Sequence, residues 1–214
     1  MKRKNTAQLA IEALERLYPE AICSLEYTDP LELLIATRLA AQCTDARVNM
    51  VTPHLFGRFK GLDALCEASV SDVEEIIRSC GFYHQKARDI VGMCNKIRDE
   101  FGGKVPDTIE ELTTLPGVGR KTANLIVGDV YKKPAVVCDT HCIRITNRLG
   151  LVDTKDPYKV EMQLREILPA EKSNDFCHRL VLFGRDVCTA RKPKCNECLL
   201  SGICNEGMGD KNED

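Results

Sequence analysis

Residues 112–123 read Leu-Thr-Thr-Leu-Pro-Gly-Val-Gly-Arg-Lys-Thr-Ala. Two helical stretches flank this piece, so its turn sets how the chain reverses. Pro116 has no N–H to donate and ends the first helix. Gly117 and Gly119 permit a tight turn with positive φ and leave the backbone bare. Leu115 and Val118 stand where they can plug the gap between the two helices. The second helix then opens with unpaired N–H groups and the positive end of its dipole facing outward. Such a turn binds a phosphate through backbone amides without reading base sequence. A plain helical hairpin has the same outline, and the turn alone leaves both readings open.

Outward from this turn the apolar period is helical almost everywhere. Leu9, Ala13, Leu14 and Leu17 predict an apolar stripe on a first helix. Asp29-Pro30-Leu31-Glu32 predicts a helix start, with an Asp cap, Pro at the first helical position and Glu in the first turn. That helix runs through Leu34, Ile35 and Leu39. A helix is expected from Thr44 to Phe56, and Ser71 with Glu74 predicts a capping box ahead of Ile76 and Ile77. Lys86 to Arg98 places Ile90, Val91, Cys94 and Ile97 on one side and stops at Gly102-Gly103. Thr108 and Glu111 predict another capping box. Helices are also expected over Thr140–Arg148, Val160–Ile167 and Asn174–Cys188. Ala135-Val136-Val137 is strand-like but too short and isolated to argue for a sheet. There is no internal repeat or low-complexity linker, and the polar tail after Cys204 is expected to be loose. The class is all-α.

The 214 residues carry 30 Lys+Arg, 32 Asp+Glu and 43% hydrophobic residues, which excludes a disordered, collagen-like or coiled-coil chain. No apolar run reaches membrane-spanning length. The first twenty residues include Glu12, Glu15 and Glu20, so they read as an amphipathic helix and not as a secretory signal. Charge is unevenly distributed. Between Gly117 and Gly150 six basic residues (Arg120, Lys121, Lys132, Lys133, Arg144, Arg148) face two acidic ones (Asp129, Asp139), a local +4 on a chain of net −2. Such a patch suits phosphate contact, or is an ordinary solvated face.

Twelve cysteines without a secretory signal point to a reducing compartment, where metal binding or catalysis outranks disulfides. Cys188, Cys195, Cys198 and Cys204 follow a C-x6-C-x2-C-x5-C spacing. Four thiolates this close form a ligand set, and by spacing alone zinc is favoured over an iron–sulfur cluster. The loop between the first two carries Arg191, Lys192 and Lys194, which ligation would pin against a second phosphate. Cys138 and Cys142, four apart around His141, make a second metal site conceivable. They and the remaining cysteines read better as small buried hydrophobes.

Taken together, LPGVGRKTAN (residues 115–124), DTH (139–141), AAQCTD (40–45), GFYHQKA (81–87) and the cysteine spacing occur in an order that resembles the endonuclease III family. These are base-excision DNA glycosylases of the helix-hairpin-helix superfamily, and the resemblance covers nearly the whole chain. It implies a [4Fe–4S] cluster in place of zinc. It implies two helical domains flanking a DNA-binding cleft: a helical barrel with the hairpin over 22–133, and a cluster domain from 1–21 plus 134–214. The implied substrate is damaged double-stranded DNA bearing an oxidised or ring-saturated pyrimidine, with nicking at the resulting abasic site. A monomer with no membrane association, in a prokaryotic cytoplasm near the nucleoid, is the implied setting.

The resemblance also assigns residues. Lys121 matches the family nucleophile; it sits in the first turn of a helix, where the dipole and Arg120 work against a second positive charge. Asp139 matches the family carboxylate, although Asp before Thr-His-Cys-Ile is also a good helix cap. Gln42 matches the residue that enters the hole left by an extruded nucleotide. Phe82 stands where many members carry Leu, a departure that still allows a wedge. Helix-surface solvation for Gln42 and core packing for Phe82 are the plainer readings. Asp45 and His141 take supporting roles. A monofunctional glycosylase for another lesion or mismatch is the alternative function, and a non-enzymatic DNA-binding module is the third. Lys121 counts against the former, and Lys121 with Asp139 against the latter.

Overall fold

The computed structural model describes residues 2–20 and 22–207. Among these there are eleven α-helices, four short 3-10 turns and no strand, so the all-α class holds. The chain divides into two units, Cys23–Lys132 and Met1–Ile22 with Lys133–Asp214. Of the polar tail, 208–214 lie outside the described residues; Asn205, Glu206 and Gly207 form a turn.

The unit from Cys23 to Lys132 contains α2 (Pro30–Ala40), α3 (Asp45–Arg58), α4 (Gly61–Glu67), α5 (Val70–Ile77), α6 (Tyr83–Glu100), α7 (Ile109–Leu112) and α8 (Arg120–Asp129). Helix α2 starts as its sequence predicts: Asp29 Oδ1 accepts from the Leu31 and Glu32 amides at 2.8 and 3.0 Å. Its Leu33, Leu34, Ile35, Ala36 and Leu39 are all fully buried, and it packs against α3, α6 and α8. Thr44 caps α3 through the Arg47 amide. The cap of α5 is Ser69, not Ser71. Ser69 Oγ accepts from the Asp72 amide at 3.1 Å and donates to the Asp72 carboxylate at 2.7 Å. The two serines compete within Ser69-Val70-Ser71; the earlier cap turns Val73 and Ile77 into the core. Helix α6 packs on α4 and α5 and begins at Tyr83, three residues before the expected start. It ends where Gly102 and Gly103 take positive φ, and the Gly103 N–H returns to the Ile97 carbonyl at 3.0 Å.

The other unit contains an N-terminal helix, α1 (Lys2–Leu17), and three later ones, α9 (Thr140–Arg148), α10 (Pro157–Ile167) and α11 (Ser173–Asp186). Helix α1 lies on α10 and α11 through Ala7, Ala10, Ile11, Ala13 and Leu14. Leu9 and Leu17 do not join that stripe, being 51% and 37% exposed. Leu9 is two residues from both Ala7 and Ile11, about 200° around the axis, so it faces away. Ala135, Val136, Val137 and Cys138 run as buried extended chain without pairing into a sheet. No described helix is long and apolar enough to cross a membrane.

Candidate active site

The hairpin forms because each of its residues has a place to go. Thr108 Oγ1 accepts from the Glu111 amide at 3.3 Å and opens α7. After α7, the Leu115 N–H bonds the Leu112 carbonyl and the Val118 N–H bonds the Leu115 carbonyl, both at 3.1 Å. Leu115 and Val118 are buried between the helices, as the sequence predicts. Gly117 has φ +73°, and a Cβ there would lie 2.6 Å from Arg38 Nε and 2.7 Å from Asp89 Oδ2. The turn is thus seated on an ion pair that sequence reading does not single out. Arg38 bonds Asp89 Oδ2 through Nε at 2.7 Å, and Gln85 Nε2 donates to Asp89 Oδ1 at 2.8 Å.

Gly119 corrects an expectation. Its φ of −92° and ψ of 171° are extended, so only Gly117 uses the left-handed region. Gly119 is the N-cap of α8 and supplies no capping side chain, while space beside its Cα is open. Gly119 thus brings no side-chain acceptor to the start of α8, an arrangement that a phosphate oxygen can complete. Arg120 is half-buried there, and Lys121 in the same first turn is exposed.

Gln42 and Phe82 lie in the same unit on two turns. Gln42 follows α2 with φ +55°; Phe82 precedes α6 with φ +46°. Non-glycine residues in this region carry a cost of about 1–2 kcal/mol, so the surroundings must enforce it. Both side chains are exposed, Phe82 by 69%, which removes core packing as its role. Asp45 opens α3 and accepts from Ser24 Oγ at 2.6 Å.

Asp139 and His141 belong to the other unit. Asp139 caps α9: its Oδ1 accepts from the Cys142 amide at 2.7 Å. The carboxylate is half-buried and held rigidly by this bond. His141 packs on Gly184 of α11, where an added Cβ would lie 2.2 Å from Nδ1, and the same nitrogen is 3.2 Å from the Arg144 guanidinium. Arg144 in turn donates to the Cys188 carbonyl at 2.8 Å. His141 thus braces α9 against α11. Cys138 and Cys142 are buried, and hydrogen bonding with Cys138 and Cys177 holds the Cys142 thiol well above its ordinary pKa.

Cys188, Cys195, Cys198 and Cys204 all line one cavity, together with Arg148, Val187, Pro193 and Lys194. Four thiols that face one cavity are a donor set able to hold an iron–sulfur cluster. Arg148, which sequence reading treats only as one of several local cations, clamps this loop. Its NH1 donates to Cys188 Sγ at 3.3 Å and to the Thr189 carbonyl at 2.9 Å, and its Nε lies 2.7 Å from Glu206 Oε2. Its own carbonyl accepts from the Asn205 amide at 3.0 Å. Arg191, Lys192 and Lys194 are exposed on the loop, with Lys194 3.6 Å from Asp186.

Residues 35–170 match the HhH-GPD superfamily of base excision DNA repair proteins, and 188–204 match the iron–sulfur binding domain of endonuclease III. The second match begins and ends on the outer two of the four cysteines. Endonuclease III of Synechocystis is 46% identical over 94% of this chain and 93% of its own. The chain belongs to the endonuclease III family. Endonuclease III of Escherichia coli is 38% identical over 91% of this chain and 93% of its own. A solved trapped endonuclease III–DNA covalent intermediate superposes with a TM-score of 0.90 at 40% identity, covering 96% of this chain and 97% of that one. As a member of this family the protein is a bifunctional DNA glycosylase and abasic-site lyase of base excision repair; it binds DNA and carries a [4Fe–4S] cluster.

Proposed function

We propose that the protein removes oxidised pyrimidines from damaged double-stranded DNA with Lys121 as nucleophile. The observation that carries this reading is an exposed lysine in the first turn of α8, two residues after Gly119, an N-cap without a capping side chain. The α8 amides and the bare glycine turn take a phosphate beside the lesion. Lys121 Nζ, as the free amine, then attacks C1′ of the extruded nucleotide; the C1′–N bond to the base breaks and the base leaves with that electron pair. Ring opening gives the protonated Schiff base, which acidifies C2′–H. Loss of that proton and departure of the 3′ phosphate complete the β-elimination. Asp139 matches the family carboxylate, a group suited to offset positive charge on the sugar or to take up a proton.

Gln42 and Phe82 fill the hole left in the stack, since both are exposed on turns. Asp45 and His141 support their neighbouring elements. Cys188, Cys195, Cys198 and Cys204 hold the cluster, and the cluster fixes the loop that offers Arg191, Lys192 and Lys194 to the DNA backbone. The segment from Cys23 to Lys132 serves as the barrel domain and the remainder as the cluster domain. The protein works as a monomer, away from membranes, in a bacterial cytoplasm at the nucleoid; its relatives from Synechocystis and Escherichia coli support a bacterial setting.

The test is borohydride trapping on duplex DNA carrying one abasic site, followed by peptide mass mapping. An adduct on Lys121 is expected. An adduct on another side chain, or none with wild type, overturns the assignment.

A further inference from the structure

Lys86 is fully buried, and its partners are three backbone carbonyls. Its Nζ donates to Leu39 O, Ala41 O and Cys80 O, each at 2.8 Å. An ammonium has three N–H groups, and these bonds use all of them. Burial works against its charge and lowers its pKa below the ordinary lysine value, while the nearby Cys43 and Cys80 thiols act the other way. A cation kept in such a place is costly unless its bonds are made.

What those bonds join is specific. Leu39 and Ala41 are at the C-terminal end of α2, where carbonyls lack intrahelical partners and a positive charge is favoured. Cys80 ends the 3-10 turn Arg78–Cys80. One residue past Ala41 is Gln42, and two residues past Cys80 is Phe82. Among the described residues only Gln42, Phe82 and Lys132 are non-glycine residues with positive φ. Two of those three therefore lie within two residues of carbonyls that one ammonium binds. Lys86 itself is in the first turn of α6, the helix that Phe82 precedes, and the Lys86 amide donates to the Phe82 carbonyl at 3.1 Å. Side chain and backbone of one residue thus reach both turns.

We propose that Lys86 is a positioning residue whose ammonium ties the two turns together, presetting Gln42 and Phe82 as one rigid pair that enters the base stack without reordering. This rests on the reading that those two side chains fill the hole. Lys86 does not touch DNA; it acts through the pair. A preset pair avoids ordering two loops at the moment of extrusion, and misplacing such a group by about 1 Å costs on the order of 100-fold in rate.

The test compares wild type, Lys86→Met, Gln42→Ala/Phe82→Ala and the triple variant. Each is assayed by borohydride trapping on an abasic site in duplex and in single-stranded DNA, where no hole needs filling. Lys86→Met is expected to slow duplex trapping by about tenfold or more while single-strand trapping stays within about twofold. In the Gln42→Ala/Phe82→Ala background the same substitution should add less than about twofold, because its targets are gone. Equal loss on both DNAs, no loss on duplex, or an undiminished effect in the double-variant background each overturns the proposal. If Lys86→Met does not fold, Lys86→Gln, whose amide still donates two hydrogen bonds, carries the same comparisons. Failure of the underlying reading shows separately: wild type then gives no Lys121 adduct on either DNA, or Gln42→Ala/Phe82→Ala traps duplex as fast as wild type.

Discussion

Gly117 stands directly over Arg38: a Cβ at that glycine would come within 2.6 Å of the Arg38 Nε that is bonded to Asp89. The position is doubly restricted, by a φ of +73° and by the ion pair beneath it. Gly117→Ala must then either displace the Arg38–Asp89 pair or rebuild the turn. We expect a loss of about 2 kcal/mol or more in urea unfolding, together with weaker binding to undamaged duplex. Gly119→Ala, at an extended residue with open space, should cost only a few tenths of that energy. Equal costs at the two glycines would contradict this difference.

Lys121 is exposed, so replacing it should leave the fold intact. Lys121→Gln is expected to unfold at the wild-type midpoint and keep DNA binding within about threefold, while strand nicking falls by at least about 1,000-fold. Nicking assays alongside a gel-shift titration check this. Residual nicking near wild-type rates would mean that another amine forms the Schiff base.

Arg148 holds the cysteine loop from outside its ligand set. Its guanidinium reaches Cys188 Sγ, the Thr189 and Ala190 carbonyls and Glu206 at once. Arg148→Met should therefore lower iron content per chain and weaken DNA binding, with Lys a poor substitute because it lacks the planar fork. Cys198→Ser is expected to do more, giving insoluble or weakly binding protein. Full iron loading in Arg148→Met would assign the clamp no part in cluster retention.

Cys94 on α6 is fully buried, and burial pushes its thiol from the usual 9 up to about 12. The folded state therefore keeps this proton where the unfolded chain releases it. Its contribution is complete below pH 9 and is lost as pH rises from there toward 12. In urea unfolding from pH 8 to 10.5, Cys94→Ala should start about 1 kcal/mol below wild type. The gap should then narrow by up to about 1.4 kcal/mol per pH unit above 9. Parallel curves would show that the thiol does not resist ionisation.

The helical class, the Asp29, Thr108 and Asp139 caps and the Leu115–Val118 plug were legible because each depends on neighbours within a few residues. Ser69 against Ser71 was not, since both satisfy the local cap rule and only burial of Val73 and Ile77 decides between them. The seat of the hairpin was hidden for another reason. Arg38 and Asp89 are far apart in the chain, and no local pattern announces that they meet. Lys86 follows Tyr83-His84-Gln85 and reads as surface; only the carbonyls of two distant turns make a cavity for its ammonium. Arg148 reads as one charge in a basic stretch until the cysteine loop folds over it. The four cysteines stood out by their spacing alone, and Lys121 and Asp139 through the family resemblance.

The order in which the ribosome makes these parts has a consequence for assembly. Cys23–Lys132 is one continuous run, and its helices can dock as soon as they emerge. Helix α1 is made first, yet its apolar face on Ala7, Ala10, Ile11 and Leu14 waits for α10 and α11. Cys204, the last of the four thiols, is later still. Iron delivered before Cys204 is made would meet an incomplete set of donors, so the metal centre matures only after that residue, and α1 needs shelter from aggregation until α10 and α11 have formed.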